Sequence, residues 1–166
     1  MDLIQLNQQS IHTLEPQLGI PKYDRKSIKT GIIHVGVGGF HRSHQAYYIH
    51  QLLCDSDNSD WGICGIGLRA GDQKIAQVLK EQDGLYTLIT QHPNGKEGYE
   101  VIGSIVDFIF AFEKPQIAID KMAHPDTKIV SLTITEGGYN FNPNTGDFDF
   151  ENPEIQQELK NHNQPK

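Results

Sequence analysis

The chain has 166 residues, 14 basic against 21 acidic side chains for a formal charge of −7, and 37% hydrophobic residues. That length suits one domain with a real core. The acidic balance argues against a general nucleic-acid binder or a membrane-surface protein, while leaving room for a local basic pocket around a phosphate. No apolar run approaches the roughly 18 residues of a bilayer span, and the first thirty residues lack a basic start followed by an apolar stretch. Cys54 and Cys64 each sit inside a predicted element, with no CxxC spacing, and read as reduced core thiols of a cytoplasmic protein.

Residues 1–28 are polar and irregular, with Pro16 and Pro21, and are expected to form an arm lying over the domain. Gly31–Val37 is a glycine-bounded run rich in β-branched residues, as a buried strand should be. Ala46, Ile49, Leu52 and Leu53 recur at helical spacing over Arg42–Leu53. The cluster CDSDNSD ends that helix, and WGICGIGL follows as a second buried strand. Gly71-Asp72 opens a second helix with Ile75, Ala76, Val78 and Leu79 as its apolar stripe, and Asp83-Gly84 stops it. LYTLIT reads as a strand, HPNG as a tight reversal, and YEVIGSIVDFIF as one returning strand. EKPQIAIDKMAH is a short helix with Pro115 in its first turn, where the missing N–H does no harm. TKIVSLTI is a further buried strand, leading into Thr135 and Glu136. The alternation predicts an α/β fold: a largely parallel sheet flanked by helices, with an inserted β-hairpin. The expected organisation is an arm (1–28), a partial dinucleotide-binding domain (29–139) and a polar tail (140–166), with a short helix at Pro153–Lys160.

The strand-to-helix junction Gly36-Val37-Gly38-Gly39-Phe40-His41-Arg42 is where chemistry is expected. A strand running into glycines and then a helix aims main-chain N–H groups and the positive helix end at one point, where a diphosphate fits. Gly36 allows the tight turn and Gly38 the close approach of a ligand to the backbone. The usual fingerprint is G-x-G-x-x-G. Here its third position is His41, so the helix must stand off or a small neighbour must make room, a job adjacent Gly39 could share. A ligand-free structural turn is the competing reading. His34, His41 and His44 lack nearby acidic or cysteine partners at zinc spacing, so no metal is expected. His41, Arg42 and His44 read instead as donors around an anion, or as solvent-facing residues at the helix start.

The second strand ends in Leu68-Arg69 where an acidic ribose ligand is usual. Asp72, three residues on, is the candidate ribose acceptor; it can equally cap the helix that starts there. Arg69 leaves a 2′-phosphate contact open, so NAD and NADP both remain. Glu136, with Thr135 beside it, sits at the carboxyl end of a strand, where ligand crevices of open α/β sheets lie; it can border the nicotinamide as an accessory group or be a polar turn residue.

The stretch PKYDRKSIKTGIIHVGVGGFHRSHQAYY resembles the amino-terminal segment of the mannitol dehydrogenase family, the polyol-specific long-chain dehydrogenases. The blocks DWGICGIGLRAGDQKI, QDGLYTLIT, VIGSIVDF and KIVSLTITEGGYNF…TGDFD follow in the family's order, covering Pro21 to the end. The wording GICGIGLRAGD and QDGLYTL is most similar to the mannitol 2-dehydrogenases, with fructuronate reductase and related sugar-acid reductases as near alternatives. The resemblance implies an NAD-dependent oxidoreductase with a Rossmann-like nucleotide domain and a mostly helical second domain. It matches Gly36, Gly38, Gly39, Phe40, His41 and Arg42 to the family's nucleotide turn and Glu136 to its strand-end glutamate, and puts Asp72 near its determinant of cofactor preference.

The resemblance also places the catalytic lysine, with its asparagine and histidine partners, in the second domain. No catalytic residue is therefore expected within these 166 residues, and the chain is expected to be truncated relative to the family fold and inactive alone. The alternative is a non-catalytic dinucleotide-binding or structural piece that acts with a complementing polypeptide. An early end to the sheet would leave an open edge, favouring self-association, a complementing chain, or a tail folded over it.

Overall fold

A computed structural model of the chain describes residues 4–14, 18–55, 57–134 and 136–161. In chain order the elements are β1 (Thr30–Val35), α1 (Gly39–Ser43), α2 (Gln45–Cys54), β2 (Gly62–Gly67), α3 (Gln73–Glu81), β3 (Tyr86–Gln91), β4 (Glu97–Ile102), β5 (Ile105–Phe110), α4 (Pro115–Met122), β6 (Ile129–Leu132) and α5 (Pro153–Lys160). Residues 1–132 form one compact unit and residues 133–166 a second.

The β-branched runs become the inner strands of a four-stranded sheet ordered β5-β2-β1-β6, parallel throughout. Both faces of β1 and β2 are covered, so their apolar residues run on without alternation. Ile32 and Ile63 face a core shared with Ala46 of α2 and Leu79 of α3. Ile33, Cys64 and Ile66 face the other, shared with Ala118 of α4. Successive strand residues point to opposite faces, which is why neighbours in sequence serve different layers. Because all four strands run the same way, their carboxyl ends share one edge.

The stretch 99–110, expected as one strand, belongs to two strands in two sheets. β4 pairs antiparallel with β3, while β5 joins the parallel sheet beside β2. The break is at Gly103-Ser104. A side chain at Gly103 would press on Pro21 at 2.8 Å and on Arg25 at 3.1 Å. Ser104 is buried and donates to the Ala46 carbonyl at 2.6 Å, Gly103 N–H donates to His50 Nδ1 at 3.3 Å, and the chain crosses between sheets at this anchored point.

The described part of the arm does pack on the domain. Ile11 is buried with Leu85 and Val101, and Gly19 bridges to Glu100. Arg25 is the pin. Its guanidinium donates to the carbonyls of Gly103 (2.9 Å), Asp83 (2.6 Å) and Ile105 (2.9 Å), tying the arm to the end of α3 and the start of β5. Cys64 is buried as expected, and burial pushes its thiol up to about 12. Cys54, expected in the core, is part-exposed at the end of α2. In the second unit, Phe141 bridges to Phe148, and Asn152 caps α5 by accepting from Glu154 N–H at 2.9 Å.

Candidate dinucleotide site

β1 ends at Val35, and the next residue reverses the chain. Gly36 has φ +88°, a conformation that side-chain-bearing residues adopt at a cost. Its N–H donates to the Ile66 carbonyl of β2 at 2.9 Å, and Gly38 N–H returns to the Gly36 carbonyl at 2.8 Å. Gly38 then stands at the N-cap of α1, one helical turn earlier than the apolar spacing predicts. Helix hydrogen bonding starts with Arg42 N–H to the Gly38 carbonyl at 3.1 Å. The N–H groups of Gly39 and Phe40 open the helix, and like those of any helix start they have no acceptor within it. The helix breaks at His44 and resumes as α2.

Gly36, Gly38 and Gly39 are all exposed. A Cβ added to any of the three would meet no atom within 4 Å. Gly39 therefore does not provide the close approach of helix to strand. The tight spot is under the turn: a side chain at Gly65 of β2 would run into Val37 at 2.4 Å and into Phe108 of β5 at 2.8 Å. Internal packing demands Gly65 and backbone conformation demands Gly36. Neither demands Gly38 or Gly39, whose missing side chains leave main chain open to whatever binds above it.

The other predicted residues divide by burial. Phe40 is 66% exposed, its ring stacked on His44 at 4.4 Å. Arg42 folds back so that Nη1 donates to the Val37 carbonyl at 2.8 Å, and its own carbonyl accepts from Tyr86 Oη at 2.5 Å. It braces the turn. His41 is not solvent-facing: it is 2% exposed and stacked on His34 of β1, centroids 3.7 Å apart and planes 11° from parallel. Burial, His34 and Arg42 hold its imidazole down to about 4, against the single raising influence of Gln45, so the ring is neutral at ordinary pH.

Asp72 lies in the turn after β2. Its Oδ2 accepts from Arg69 N–H at 2.9 Å, and Asp72 N–H donates to the Arg69 carbonyl at 2.9 Å. These two bonds close the 3-10 turn Ala70–Asp72 that leads into α3; the Asp72 carboxylate makes no capping bond to α3 itself, and the residue is half-buried at the same sheet edge as the glycine turn. Thr135 lies outside the described residues. Glu136 opens a short 3-10 turn (Glu136–Tyr139) in the second unit, and its side chain is likewise outside them. One feature of this edge was not singled out in the sequence. The loop after β5 joins it through Ala111 N–H, which donates to the Gly67 carbonyl at 2.9 Å, and it exposes Phe112 by 51%. The doublet of aromatics flanking Ala111 at a strand end was the available signal. A hollow of about 660 Å³ between α3 and β5, lined by Leu79, Val106 and Phe108 among others, does not include the glycine turn.

The comparison with known proteins fits this geometry. Residues 30–164 match the family model described as the mannitol dehydrogenase Rossmann domain. The chain belongs to the mannitol dehydrogenase family. It is 48% identical over 145 residues to mannitol 2-dehydrogenase of Pyricularia oryzae, covering 87% of this chain and 29% of that one. It is 41% identical to mannitol dehydrogenase 2 of Saccharomyces cerevisiae, covering 96% and 32%. Among solved structures, a Pseudomonas fluorescens mannitol 2-dehydrogenase ternary complex with NAD and D-mannitol superposes with a TM-score of 0.83 at 44% identity, over 95% of this chain and 32% of that one. A D-sorbitol dehydrogenase in substrate-free form superposes with a TM-score of 0.79 at 40% identity. The chain thus spans about a third of the length of the relatives it matches, and corresponds to the amino-terminal Rossmann portion of such enzymes. Among the described residues no helix is long and apolar enough to cross a membrane.

Proposed function

We propose that the chain binds the nicotinamide dinucleotide of a mannitol 2-dehydrogenase-like oxidoreductase, with the diphosphate on the main chain of Gly36–Phe40. The observation that carries this reading is the open space above Gly38 and Gly39, two glycines that no internal contact explains. The turn supplies helix-start N–H groups to the anion, Arg42 keeps its shape through Val37, and Gly36 provides the reversal. When bound, the cofactor supplies hydride exchange with C2 of a polyol or ketose. That step also needs a proton acceptor at the same carbon, which the family resemblance places outside these residues. Oxidoreductase activity is therefore proposed only for these residues joined by a second domain that supplies that acceptor, and not for the 166 residues alone. Calorimetric titration with NADH tests the reading: saturable one-site binding is expected, and no heat above dilution would contradict it.

Asp72 separates turn closure from ribose contact. In Asp72→Asn the amide oxygen can still accept from Arg69 N–H, so the melting temperature is expected to hold. Loss of a charged acceptor for the ribose is expected to weaken NADH by about 10-fold and to narrow its advantage over NADPH. Unchanged affinities would make Asp72 a turn-closing residue only.

The outer edge of β6 favours a partner. β6 ends the sheet order, and Ile129, Val130 and Leu132 on it are 44%, 48% and 56% exposed. Such a strand is stabilised by a further strand from another copy or a complementing chain. Sedimentation velocity of the 166-residue protein is expected to show self-association that rises with concentration; a monomer at every concentration would contradict it.

A further inference from the structure

His41 occupies the place where the dinucleotide fingerprint has its third glycine, and its ring is packed inside the protein. The contacts around it form a chain from helix to turn. His41 stacks on His34. His34 stands on β1 two residues before Gly36, and its Nδ1 lies 2.9 Å from Ser131 Oγ on β6. Gln45 closes the network from α2, its Nε2 donating to Ser131 Oγ at 3.3 Å and its Oε1 facing His41 Nδ1 at 3.0 Å. Because Oε1 can only accept, Nδ1 of His41 carries the proton and Nε2 carries a lone pair. That lone pair is buried and has no hydrogen-bond partner among the described residues. His34 and Arg42 are the titratable or charged groups set against His41 there, and both disfavour a second proton.

We propose that His41 is a positioning residue for the dinucleotide: stacked on His34, it fixes the depth of the helix start and, through His34 and Gly36, the shape of the diphosphate turn. This deepens the nucleotide-binding reading and rests on it. The work is done by a flat, uncharged ring of the right thickness. A third glycine would leave the His34 face bare and the start of α1 without its support. A phenyl ring would keep the stack while losing only the Gln45 hydrogen bond.

The test compares NAD+ affinity, by calorimetry at neutral pH, for the wild-type chain, His41→Phe and His41→Gly, each checked by circular dichroism at the temperature used. His41→Phe is expected to bind within about 3-fold of wild type, and His41→Gly, although it restores the fingerprint, on the order of 10-fold more weakly through loss of preorganisation. The amide resonances of Gly36 and Gly38 in the free protein are expected to stay in place in His41→Phe and to shift in His41→Gly. Equal affinity of folded His41→Gly and wild type would overturn the proposal while leaving the nucleotide reading intact. No binding by wild type would overturn the reading beneath it. If His41→Gly does not fold, the imidazole nitrogen resonances of wild-type His41 decide instead: a shift on adding NAD+ supports the coupling, and none overturns it.

Discussion

Gly38→Ala is expected to leave the protein folded and to remove most of its dinucleotide affinity. The two effects separate because the two kinds of contact do. Within the chain a Cβ at residue 38 meets nothing within 4 Å, and its φ of −81° is ordinary for any residue. The cost to the fold is confined to exchanging one N-cap residue for a poorer one, at most about 1 kcal/mol. Gly39→Ala is expected to go further, raising stability by up to about 1 kcal/mol, since alanine is the better helix residue. With the diphosphate seated as proposed, each new methyl would occupy the space it needs. Gly38→Ala is expected to cost about 2–3 kcal/mol of binding, on the order of 100-fold in Kd, with Gly39→Ala in the same direction. Thermal melts and NADH titrations on the same samples check both halves. Undiminished affinity in both variants would mean that the cofactor does not lie on this turn.

Gly84→Ala is expected to destabilise the first unit strongly. α3 ends with Asp83 at φ 52° and Gly84 at φ 76°, and Gly84 N–H closes the helix by donating to the Leu79 carbonyl at 2.7 Å. A methyl there would be strained by the left-handed backbone and would sit 2.2 Å from the Ile105 carbonyl oxygen, an acceptor already held by Arg25. Backbone strain and overpacking together give on the order of 3 kcal/mol, or a fall of about 10 °C in melting temperature. Gly95→Ala is the control. It shares a positive φ of 79° at the hairpin tip but meets nothing within 4 Å, so only the backbone penalty of about 1 kcal/mol applies. Similar melting temperatures for the two variants would show that the close approach of Gly84 to β5 is not as described.

What the sequence made legible is what local chemistry decides. The runs at β1 and β2 are β-branched, glycine-bounded and buried on both faces, so their identity needed no knowledge of the rest. The glycine turn was legible for the same reason, since strand, reversal and helix follow within a dozen residues. The misreading of 99–110 as one strand has the opposite cause. Apolar residues continue through Gly103-Ser104, and the decision to break there comes from Arg25 and Ala46, 78 and 58 residues away. The role of His41 was hidden similarly. The fold-back of the β1–α1 turn sets its ring on His34, and the parallel pairing of β1 with β6 brings Ser131 to His34, which no local pattern encodes. Asp72 was legible as a choice between helix cap and ribose acceptor, and its carboxylate instead closes the 3-10 turn before α3 by accepting from Arg69 N–H.

The most direct test follows amide resonances of the 15N-labelled chain through a titration with NADH. The resonances of Gly36, Gly38, Gly39 and Phe40 are expected to move first and farthest, ahead of those in the β3–β4 hairpin. Saturable binding that shifts residues elsewhere and leaves those four amides in place would contradict a diphosphate seated on the β1–α1 turn.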